Sequence, residues 1–504
     1  GRLDEARQSY EQAIKLKPNY TEAYNNLGII LKDLGRVDEA EKNLRQAIKL
    51  KPDLVEAYSN LGITLQQLGR SEEAEKNLRQ AIKLKPDNLS AYNNLLFFYA
   101  GSNYEASLYL KTAKDYGQNI TKLVTSKFSN WLCEKEPKKL RIGFVSGDLK
   151  NHPVGYFLEG LLKKFGQSKL ELYAYTTNLK DDDLTLRIKP FFSVWKSLLG
   201  FSDKAAANLI HNDGIHILID LSGHTAKNRL PIFGWKPAPI QISWNGYFAS
   251  TGVAEIDYIL GDPYVTPFEE AGQYTEKIWQ LPENYLCFTE PNIKVDIEPL
   301  PALINGNITF GCFNKTEQIN GHVISVWSKI LNAIPNSKLF LKSLDLTNNS
   351  TQENIYRRFS DHGIKKEQLI LEGKSPRAEY LAAYNRVDIA LSPFPFAGAT
   401  TRAEGLWMGV PGIVKKGNHF HSHVNESVAH NAGLSNWVAS NEDEYVSKAI
   451  KFSSNLDELS KLRSRLRTQV LSSSLFNTTR FVNHFETALR DMWKEKVNKI
   501  FKKK

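Results

Sequence analysis

One turn of the sequence has the composition of a phosphate-binding site. Gly398-Ala399-Thr400-Thr401 follows a short apolar run and opens a predicted helix that ends near Met408-Gly409. Such a turn offers free backbone N–H groups, two hydroxyls and the positive end of a helix dipole to an anion. Because a single turn of this kind is weak support, the loops that would surround it have to be identified as well.

Three further loops carry polar and small residues directly after predicted strands. They cover residues 146–153, 221–225 and 312–315, and the turn described above belongs to a fourth loop at 392–401. Ligands of doubly wound sheets bind outside the carboxyl ends of the strands. We therefore expect these four loops to converge on one site.

The elements that would position these loops are short apolar runs separated by helical segments. The runs cover residues 140–146, 172–175, 215–221, 240–244, 308–313, 338–342, 368–371, 389–391 and 412–414. Their length and flanking residues are typical of buried parallel strands, and their alternation with helices is typical of βαβ units. The region from 138 to 476 is long enough for two such α/β lobes.

The first hundred residues repeat with a period of 34. The positions in phase are Gly1, Gly35 and Gly69; Ala6, Ala40 and Ala74; Pro18, Pro52 and Pro86; Tyr24, Tyr58 and Tyr92. The pattern resembles the tetratricopeptide repeat, which predicts helix–turn–helix units that stack into a solenoid. Because the sequence opens within a repeat, we expect further repeats before it and recognise no signal peptide.

Asparagines on the first helices of the repeats have two interpretations. Asn25, Asn60 and Asn94 could form an amide ladder that hydrogen-bonds the backbone of an extended acceptor peptide. They could also be ordinary polar surface. We adopt the ladder as the working prediction, because some of these positions recur in phase.

Composition excludes several classes of protein. Hydrophobic residues make up 41% and charged residues 24% of the 504-residue chain, a globular balance with enough length for about three domains. No apolar run reaches the roughly 18 residues of a membrane span. Cys133, Cys287 and Cys312 form no CxxC pair, which argues against structural zinc and disulfides and predicts a cytoplasmic protein.

The formal net charge of +10 raises the question of nucleic-acid binding. Much of the excess lies in a basic tail formed by Lys494, Lys496, Lys499, Lys502, Lys503 and Lys504. No basic motif with interleaved aromatic residues is present, so nucleic acid is not expected as a partner.

Several stretches together identify a family. They are LRIGFVSGDLKNHP (140–153), DGIHILIDLSGHT (213–225), KPAPIQISWNGY (236–247), FAGATTRAEGLWMGVP (396–411) and SSLFNTTRF (473–481). They resemble the catalytic region of the protein O-linked N-acetylglucosamine transferases, including their Spindly-like relatives, which carry tetratricopeptide repeats before that region. The resemblance implies a GT-B-like pair of Rossmann-like lobes and inverting transfer to Ser or Thr without a metal or other cofactor.

The expected fold is thus an α-helical repeat solenoid followed by an α/β GT-B-like catalytic region. The predicted boundaries are 1–101 for the repeats, 102–138 for a connecting helical segment, 139–298 for the N-terminal lobe, 299–475 for the C-terminal, nucleotide-sugar-binding lobe, and 476–504 for a C-terminal helix with the basic tail.

The resemblance also implies roles on the acceptor side. His152 matches a family histidine proposed as a base or acceptor-side group, although a histidine there could simply cap a helix. Asp213 and His216 match a second acceptor-side pair. Because His216 lies inside an apolar run, a hydrogen-bonded core histidine is the alternative.

Ten positions are expected to contact the nucleotide sugar: His224, Gln318, Lys342, Ser375, Arg377, Tyr380, Gly398, Thr400, Thr401 and Glu404. Thr400 and Thr401 fit the phosphate cradle of the family, Glu404 fits a ribose contact, and Arg377 and Tyr380 fit contacts to the base.

The chain departs from the family pattern around the donor. The phosphate-binding lysine of the family aligns with Gln318, whose neutral amide cannot make a charge-assisted hydrogen bond to the leaving group. Lys315, three residues earlier, is the predicted substitute and is included among the catalytic residues. Ala399 and residues 248–252 also differ, which leaves the identity of the donor open.

Two motifs imitate metal sites. Asp181-Asp182-Asp183 lies in a polar loop and is expected to be solvated surface. His419, His421 and His423 alternate and could chelate a transition metal if extended. The resemblance instead places them near the nucleotide, so no metal is expected.

Three functions remain open at this point. The first is transfer of N-acetylglucosamine from its uridine diphosphate donor to Ser or Thr of cytoplasmic proteins that the repeats select. The second is a Spindly-like protein O-fucosyltransferase that uses GDP-fucose. The third is a catalytically weak repeat scaffold, for which the neutral residue Gln318 is the main argument.

Overall fold

The computed structural model describes residues 2–102, 104–166 and 169–501, with the side chains of residues 500 and 501 excepted. Lys502, Lys503 and Lys504 of the predicted basic tail, and Gly1 of the first repeat, lie outside the described residues. The chain divides into two compact units, Gly1–Thr125 and Ser126–Lys504.

The regular elements in the described residues of the first unit are all helices. They are α1 (Arg2–Leu16), α2 (Thr21–Asp33), α3 (Val37–Leu50), α4 (Val55–Gln67), α5 (Ser71–Leu84), α6 (Leu89–Ala100) and α7 (Ala106–Leu123). Close contact of α2 with α3 and of α4 with α5 depends on two glycines in phase. A Cβ at Gly28 would lie 2.6 Å from Leu44 Cγ, and a Cβ at Gly62 would lie 2.6 Å from Leu78 Cγ. The predicted helical repeat region is confirmed.

The second unit begins with a seven-stranded parallel sheet, which with its helices we call the N-terminal lobe. Its strand order is β3-β2-β1-β4-β5-β6-β7. The strands are β1 (Leu140–Ser146), β2 (Leu170–Thr176), β3 (Val194–Ser197), β4 (Ile217–Asp220), β5 (Ile240–Ser243), β6 (Tyr258–Gly261) and β7 (Lys277–Gln280). The helices that follow β1 to β4 are α8 (Pro153–Phe165), α9 (Asp183–Ile188), α10 (Asp203–Asn212) and α11 (Leu230–Gly234).

A second, six-stranded parallel sheet forms the C-terminal lobe, with strand order β10-β9-β8-β11-β12-β13. The strands are β8 (Thr309–Cys312), β9 (Lys338–Lys342), β10 (Leu369–Glu372), β11 (Ile389–Leu391), β12 (Gly412–Lys415) and β13 (Val438–Ala439). The α-helices here are α12 (Pro301–Asn305), α13 (Gly321–Ala333), α14 (Asn349–Ser360), α15 (Arg377–Ala382), α16 (Ala399–Trp407), α17 (Phe420–Asn431), α18 (Glu442–Ser453) and α19 (Leu456–Ser472). Two parallel α/β sheets after the repeats confirm the predicted fold class.

The last helix, α20 (Thr478–Phe501), returns to the N-terminal lobe and packs against α8 and β5. The ring of Phe485 lies 4.6 Å from that of Trp244 and 5.6 Å from that of Phe165, and Phe485 is fully buried. The C-terminal segment is therefore part of the core of the N-terminal lobe over residues 481–493.

Four strands escaped prediction, namely β3, β6, β7 and β13. The loop at 221–225, which we expected after the third strand of the region, consequently follows the fourth strand in chain order. It still lies at the carboxyl edge of the sheet, where β4 neighbours β1 and β5.

Candidate active site

His152 begins α8, immediately beyond the carboxyl end of β1. It is the N-cap residue, and its Nδ1 accepts a hydrogen bond of 3.4 Å from Val154 N. Burial lowers the pKa of His152, Asp148 opposes this with a carboxylate 3.8 Å from Nδ1, and the cations of Lys150 and Lys315 lower the pKa further. The ring is thus neutral at neutral pH. Capping of α8 by His152 is compatible with a functional role for the same side chain.

Lys315 belongs to the other lobe, in the loop after β8. Its charge acts on His152, which places the two side chains within electrostatic reach across the lobes. The side chain is exposed, and its ammonium has no salt-bridge partner among the described residues. Lys315 is therefore a cation available to an anionic ligand.

The predicted phosphate cradle lies at the start of α16. Gly398 is the N-cap residue, and Thr401 Oγ1 donates to Gly398 O at 2.9 Å. Asn314 Nδ2 lies beside this turn, 3.4 Å from where a Cβ on Gly398 would be, and donates to Gln318 Oε1 at 2.8 Å. The backbone N–H groups in the first turn of a helix have no acceptor within the helix. Gly398, Thr400, Thr401, Asn314 and Gln318 thus form one polar cluster.

The residues expected to hold the nucleoside are brought together at α15 and α16. Arg377 forms an ion pair with Glu404, and its guanidinium lies 5.4 Å from the ring centre of Tyr380. Burial raises the pKa of Glu404 above its ordinary value, although the charge and hydrogen bond of Arg377 oppose this effect. Ser375, at the start of this segment, has a buried Oγ without a hydrogen-bond partner in the described part of the chain.

Lys342 lies at the carboxyl end of β9, but its ammonium is already engaged. The side chain is 5% exposed, and Nζ lies 3.2 Å from both Glu372 Oε2 and Gly373 O. Glu372 also pairs with Arg386. Two of the three N–H donors of Lys342 are thereby used, so its ammonium is less available to phosphate than that of Lys315, and its contact with the donor stays a prediction.

Asp213 and His216 do not join the other candidates. They precede β4, at the amino end of the strand, whereas His152 and His224 follow the carboxyl ends of β1 and β4. His216 Nδ1 accepts from Arg141 N at 3.0 Å, and Nε2 donates to Glu134 O at 3.2 Å. Burial lowers the pKa of His216 to about 4. The geometry supports the core-histidine interpretation.

Asp213 has partners of its own on β2 and β3. Tyr175 Oη donates to Asp213 Oδ2 at 2.7 Å, and Lys196 Nζ lies 2.5 Å from Oδ1. Both oxygens of the carboxylate are therefore used to join β2, β3 and the turn before β4.

His224 lies at the carboxyl edge, as expected from its position after β4. It is buried, and Nε2 donates to Thr251 O at 3.0 Å. Burial lowers the pKa of His224 to about 3. A neutral ring in this place anchors the loop at 221–225 to the loop that follows β5.

Asp148, the acidic neighbour of His152, is a site residue that we did not predict from the sequence. The residue is buried and lies in the same loop, with its backbone N–H donating to Ser146 Oγ at 2.9 Å. The available signal was an acidic residue four positions before a helix-capping histidine in a loop already singled out.

The two metal-like motifs have other roles. Asp182 caps α9 by accepting from Thr185 N at 2.9 Å, while Asp181 and Asp183 pair with Lys189 and Arg187. Within the described residues, no group of three or more His, Cys, Asp or Glu side chains has an arrangement that could hold a metal ion. Nor does any helix there have the length and apolar character to cross a membrane.

The asparagines of the repeats are linked from one repeat to the next. Asn60 Nδ2 donates to Asn25 Oδ1 at 3.0 Å, and Asn94 Nδ2 donates to Ser59 Oγ at 2.8 Å. Each bond joins residues 35 positions apart, so equivalent positions are in contact in two successive repeats, although the acceptor is an asparagine in one and a serine in the other. The ladder predicted from the sequence remains a proposal as regards acceptor binding.

The sequence of the chain matches a family of glycosyl transferases. The sequence model of Glycosyl transferase family 41 matches residues 118–293 and 299–485, and tetratricopeptide-repeat models match residues 1–35 and 19–87. The chain is 34% identical over 388 residues to the probable UDP-N-acetylglucosamine–peptide N-acetylglucosaminyltransferase SPINDLY of Arabidopsis thaliana. That match covers 76% of this chain and 42% of the relative, so the chain spans about two fifths of its length.

Two further similarities, one in sequence and one in structure, indicate the same family. The probable transferase SEC of Arabidopsis thaliana is 30% identical over 368 residues, which is 71% of this chain and 37% of the relative. A mutant of the O-GlcNAc transferase of Thermobaculum terrenum has a solved structure that superposes with a TM-score of 0.91 at 31% identity. The match covers 99% of this chain and 95% of the Thermobaculum terrenum chain. By sequence and by fold, the chain belongs to glycosyl transferase family 41.

Proposed function

We propose that this protein transfers N-acetylglucosamine from UDP-N-acetylglucosamine to serine or threonine hydroxyls of proteins, with inversion at the anomeric carbon. The observation that carries the proposal is that a neutral His152 on one lobe lies within electrostatic reach of Lys315 on the other, an exposed lysine with no salt-bridge partner in the part of the chain that the structure describes. The names of the SPINDLY and SEC relatives, which specify this donor and a peptide acceptor, support it.

On the acceptor side, His152 serves as the base. A ring that is neutral at neutral pH can take the hydroxyl proton through its unprotonated nitrogen. That nitrogen is Nδ1, which accepts only a long hydrogen bond of 3.4 Å from Val154 N and can exchange it for the hydroxyl. Asp148, 3.8 Å away, then stabilises the imidazolium that forms.

On the donor side, the leaving diphosphate is stabilised by the C-terminal lobe. The first turn of α16 supplies N–H groups and the hydroxyls of Thr400 and Thr401. Lys315 supplies the positive charge that Gln318 cannot. Arg377, Tyr380 and Glu404 contact the nucleoside, and the repeats select acceptors through Asn25, Asn60 and Asn94.

We also propose a cytoplasmic location. Cys133, Cys287 and Cys312 are free and buried in the structure, which suits a reducing compartment.

The test is a comparison of two donors by calorimetry and nucleotide release, UDP-N-acetylglucosamine against GDP-fucose. We expect the uridine donor to bind and turn over, and Thr401→Val to weaken both because the hydrogen bond from Thr401 Oγ1 to Gly398 O, which orders the cradle, is lost. Ser464→Ala, which alters an exposed hydroxyl of α19, is the control. Preference for GDP-fucose would instead assign the fucosyl reaction, and binding of neither donor would assign the scaffold.

A further inference from the structure

Helix α17 lies in the C-terminal lobe, but its polar side chains bond to the N-terminal lobe. Residues 420–429 are all buried. Ser427 Oγ donates to Asp262 Oδ2 at 2.7 Å, and Asn431 Nδ2 donates to Glu283 O at 3.1 Å. Asp262 and Glu283 follow β6 and β7 of the N-terminal sheet. The helix thus joins the two lobes along its second half.

The start of α17 meets the 3-10 helix Phe268–Gln273 of the N-terminal lobe. His419 Nδ1 and Gln273 Oε1 are 3.2 Å apart, and Gln273 Nε2 donates to Asn418 O at 2.9 Å. The lobes are therefore also joined at this end of the helix.

Between these contacts, His423 lies between carboxylates of both lobes. Its Nε2 is 3.0 Å from Glu270 Oε1 of the N-terminal lobe, and its Nδ1 is 2.6 Å from Glu426 Oε2 of α17. The ring is 1% exposed. Ionised carboxylates only accept hydrogen bonds, so both contacts are satisfied together only when both ring nitrogens carry protons. The geometry therefore requires an imidazolium.

The surrounding charges favour that state. Burial by itself lowers the pKa of His423, but hydrogen bonds to Glu270 and Glu426 outweigh it and raise the pKa to about 9. Lys416 Nζ lies 3.1 Å from Glu426 Oε1, and His430 Nε2 lies 3.8 Å from the same oxygen. The ring of His419 stacks on that of His421 at 5.6 Å, and burial together with the charges of His419 and His423 lowers the pKa of His421 to about 3.

We propose that the imidazolium of His423 is a positioning residue for glycosyl transfer, which holds the two lobes in the orientation that brings α16 and Lys315 towards His152. The connection is direct, because α17 packs against α16, the helix that carries the phosphate cradle. The proposal rests on the proposed function for its kinetic consequence, but the orientation of the lobes can be measured without any substrate.

The sign of the pH dependence follows from the raised pKa. The ordinary pKa of histidine is about 6.5, so the contribution of the cluster is fully present below about pH 6.5 and is lost as the pH rises through about 9. Above that pH the neutral ring can donate to only one of the two carboxylates. The contact between the lobes should then loosen.

The experiment measures the distance between the lobes by pulsed dipolar spectroscopy on the full chain. Spin labels are placed by Asn208→Cys on α10 and Asn354→Cys on α14, both exposed, while the three native cysteines are buried. We expect one narrow distance distribution at pH 7 that broadens above pH 9. His423→Gln should broaden it at both pH values. His423→Arg, which stays charged, should keep it narrow at both.

Kinetics form the second measurement, with kcat and donor KM recorded from pH 6 to pH 10. His423→Gln should lower kcat between about tenfold and a hundredfold, since misplacement of reacting groups by about 1 Å lowers the rate by up to about a hundredfold. The control is His322→Gln, which removes a 2.8 Å contact with Glu442 inside the C-terminal lobe and should leave both readouts unchanged. A narrow distribution in folded His423→Gln at pH 7, or a wild-type distribution that does not change at pH 10, would overturn the proposal. Failure of the donor assay alone would contradict only the proposed function.

Discussion

The available cations around the candidate site differ in how far their charges are already neutralised. Lys342 pairs with Glu372 and Arg377 pairs with Glu404, so the charge of each is already balanced by a carboxylate. Lys315 has no such partner among the described residues. Because a departing diphosphate gains charge in the transition state, an uncommitted cation stabilises it most. This difference is the reason that we propose Lys315, rather than Lys342, for the leaving-group role.

Replacing Lys315 with alanine should therefore lower kcat more than it raises donor KM. Loss of one hydrogen bond to a charged group costs about 1.5–3 kcal/mol, or roughly 10- to 100-fold in rate. Single-turnover sugar transfer would measure it, with Lys329→Ala, an exposed lysine of α13 in the same lobe, as the control. A wild-type kcat in Lys315→Ala would remove this residue from the mechanism.

His216 and His152 provide a second prediction at the scale of the residue. His216→Leu leaves Arg141 N–H and Glu134 C=O without their partner, which should lower stability by about 1–3 kcal/mol while kcat per folded molecule stays within about twofold. His152→Ala should instead lower kcat strongly and leave stability nearly unchanged. Thermal unfolding and active-site-titrated kinetics separate the two effects. A large loss of kcat at unchanged stability in His216→Leu would restore its acceptor-side role.

At the scale of the element, the carboxyl edges of two parallel sheets organise the site. Loops after β1 and β4 lie at one edge of the first sheet and loops after β8 and β11 at one edge of the second, because these strands pair in parallel. The charge of Lys315, after β8, acts on His152, after β1. The strands that sequence analysis missed are short, and three of them, β3, β7 and β13, lie at the ends of the sheet orders. Edge strands such as Val194–Ser197 are only partly buried and lack a continuous apolar run. None of the missed strands carries a predicted site residue.

The repeat helices give a prediction at the same scale. Gly28→Ala would place a Cβ 2.6 Å from Leu44 Cγ and 3.3 Å from Ala40 O, so α2 and α3 would have to separate. Overpacking of this kind costs about 1–3 kcal/mol. Thermal unfolding of the repeat region should shift to lower temperature. Gly101→Ala, whose Cβ would meet nothing closer than 3.8 Å, is the matched control, and an equal shift in both variants would contradict the explanation.

At the scale of the molecule, distant parts of the chain complete one another's cores. Helix α20 fills the N-terminal lobe with Phe485, Leu489 and Met492, all fully buried. Trp493 Nε1 also donates to Lys135 O at 3.2 Å, a contact between residues 358 positions apart. Helix α20 therefore completes the core of the N-terminal lobe.

Phe485→Ala tests this dependence. Removing a fully buried phenylalanine from between Trp244 and Phe165 should cost about 3–5 kcal/mol and lower the unfolding temperature of the catalytic unit. Leu186→Ala on α9, where the side chain is 61% exposed, should have little effect. Protection of β5 amides in hydrogen exchange reports the N-terminal lobe directly. Unaltered protection in Phe485→Ala would show that α20 is dispensable to that lobe.

Local features of the sequence determined the repeats, most of the strands and the candidate loops. The period of 34 and the apolar runs, such as 140–146 and 338–342, are short-range patterns that burial imposes on neighbouring residues, and a loop after a parallel strand has to lie at the carboxyl edge. Pairings between distant residues were decided only by the tertiary structure. These include the place of His216 at the amino end of β4, the return of α20, and the cluster of His423 with Glu270, 153 positions apart. Such contacts depend on how lobes and strands are packed, which no local spacing encodes.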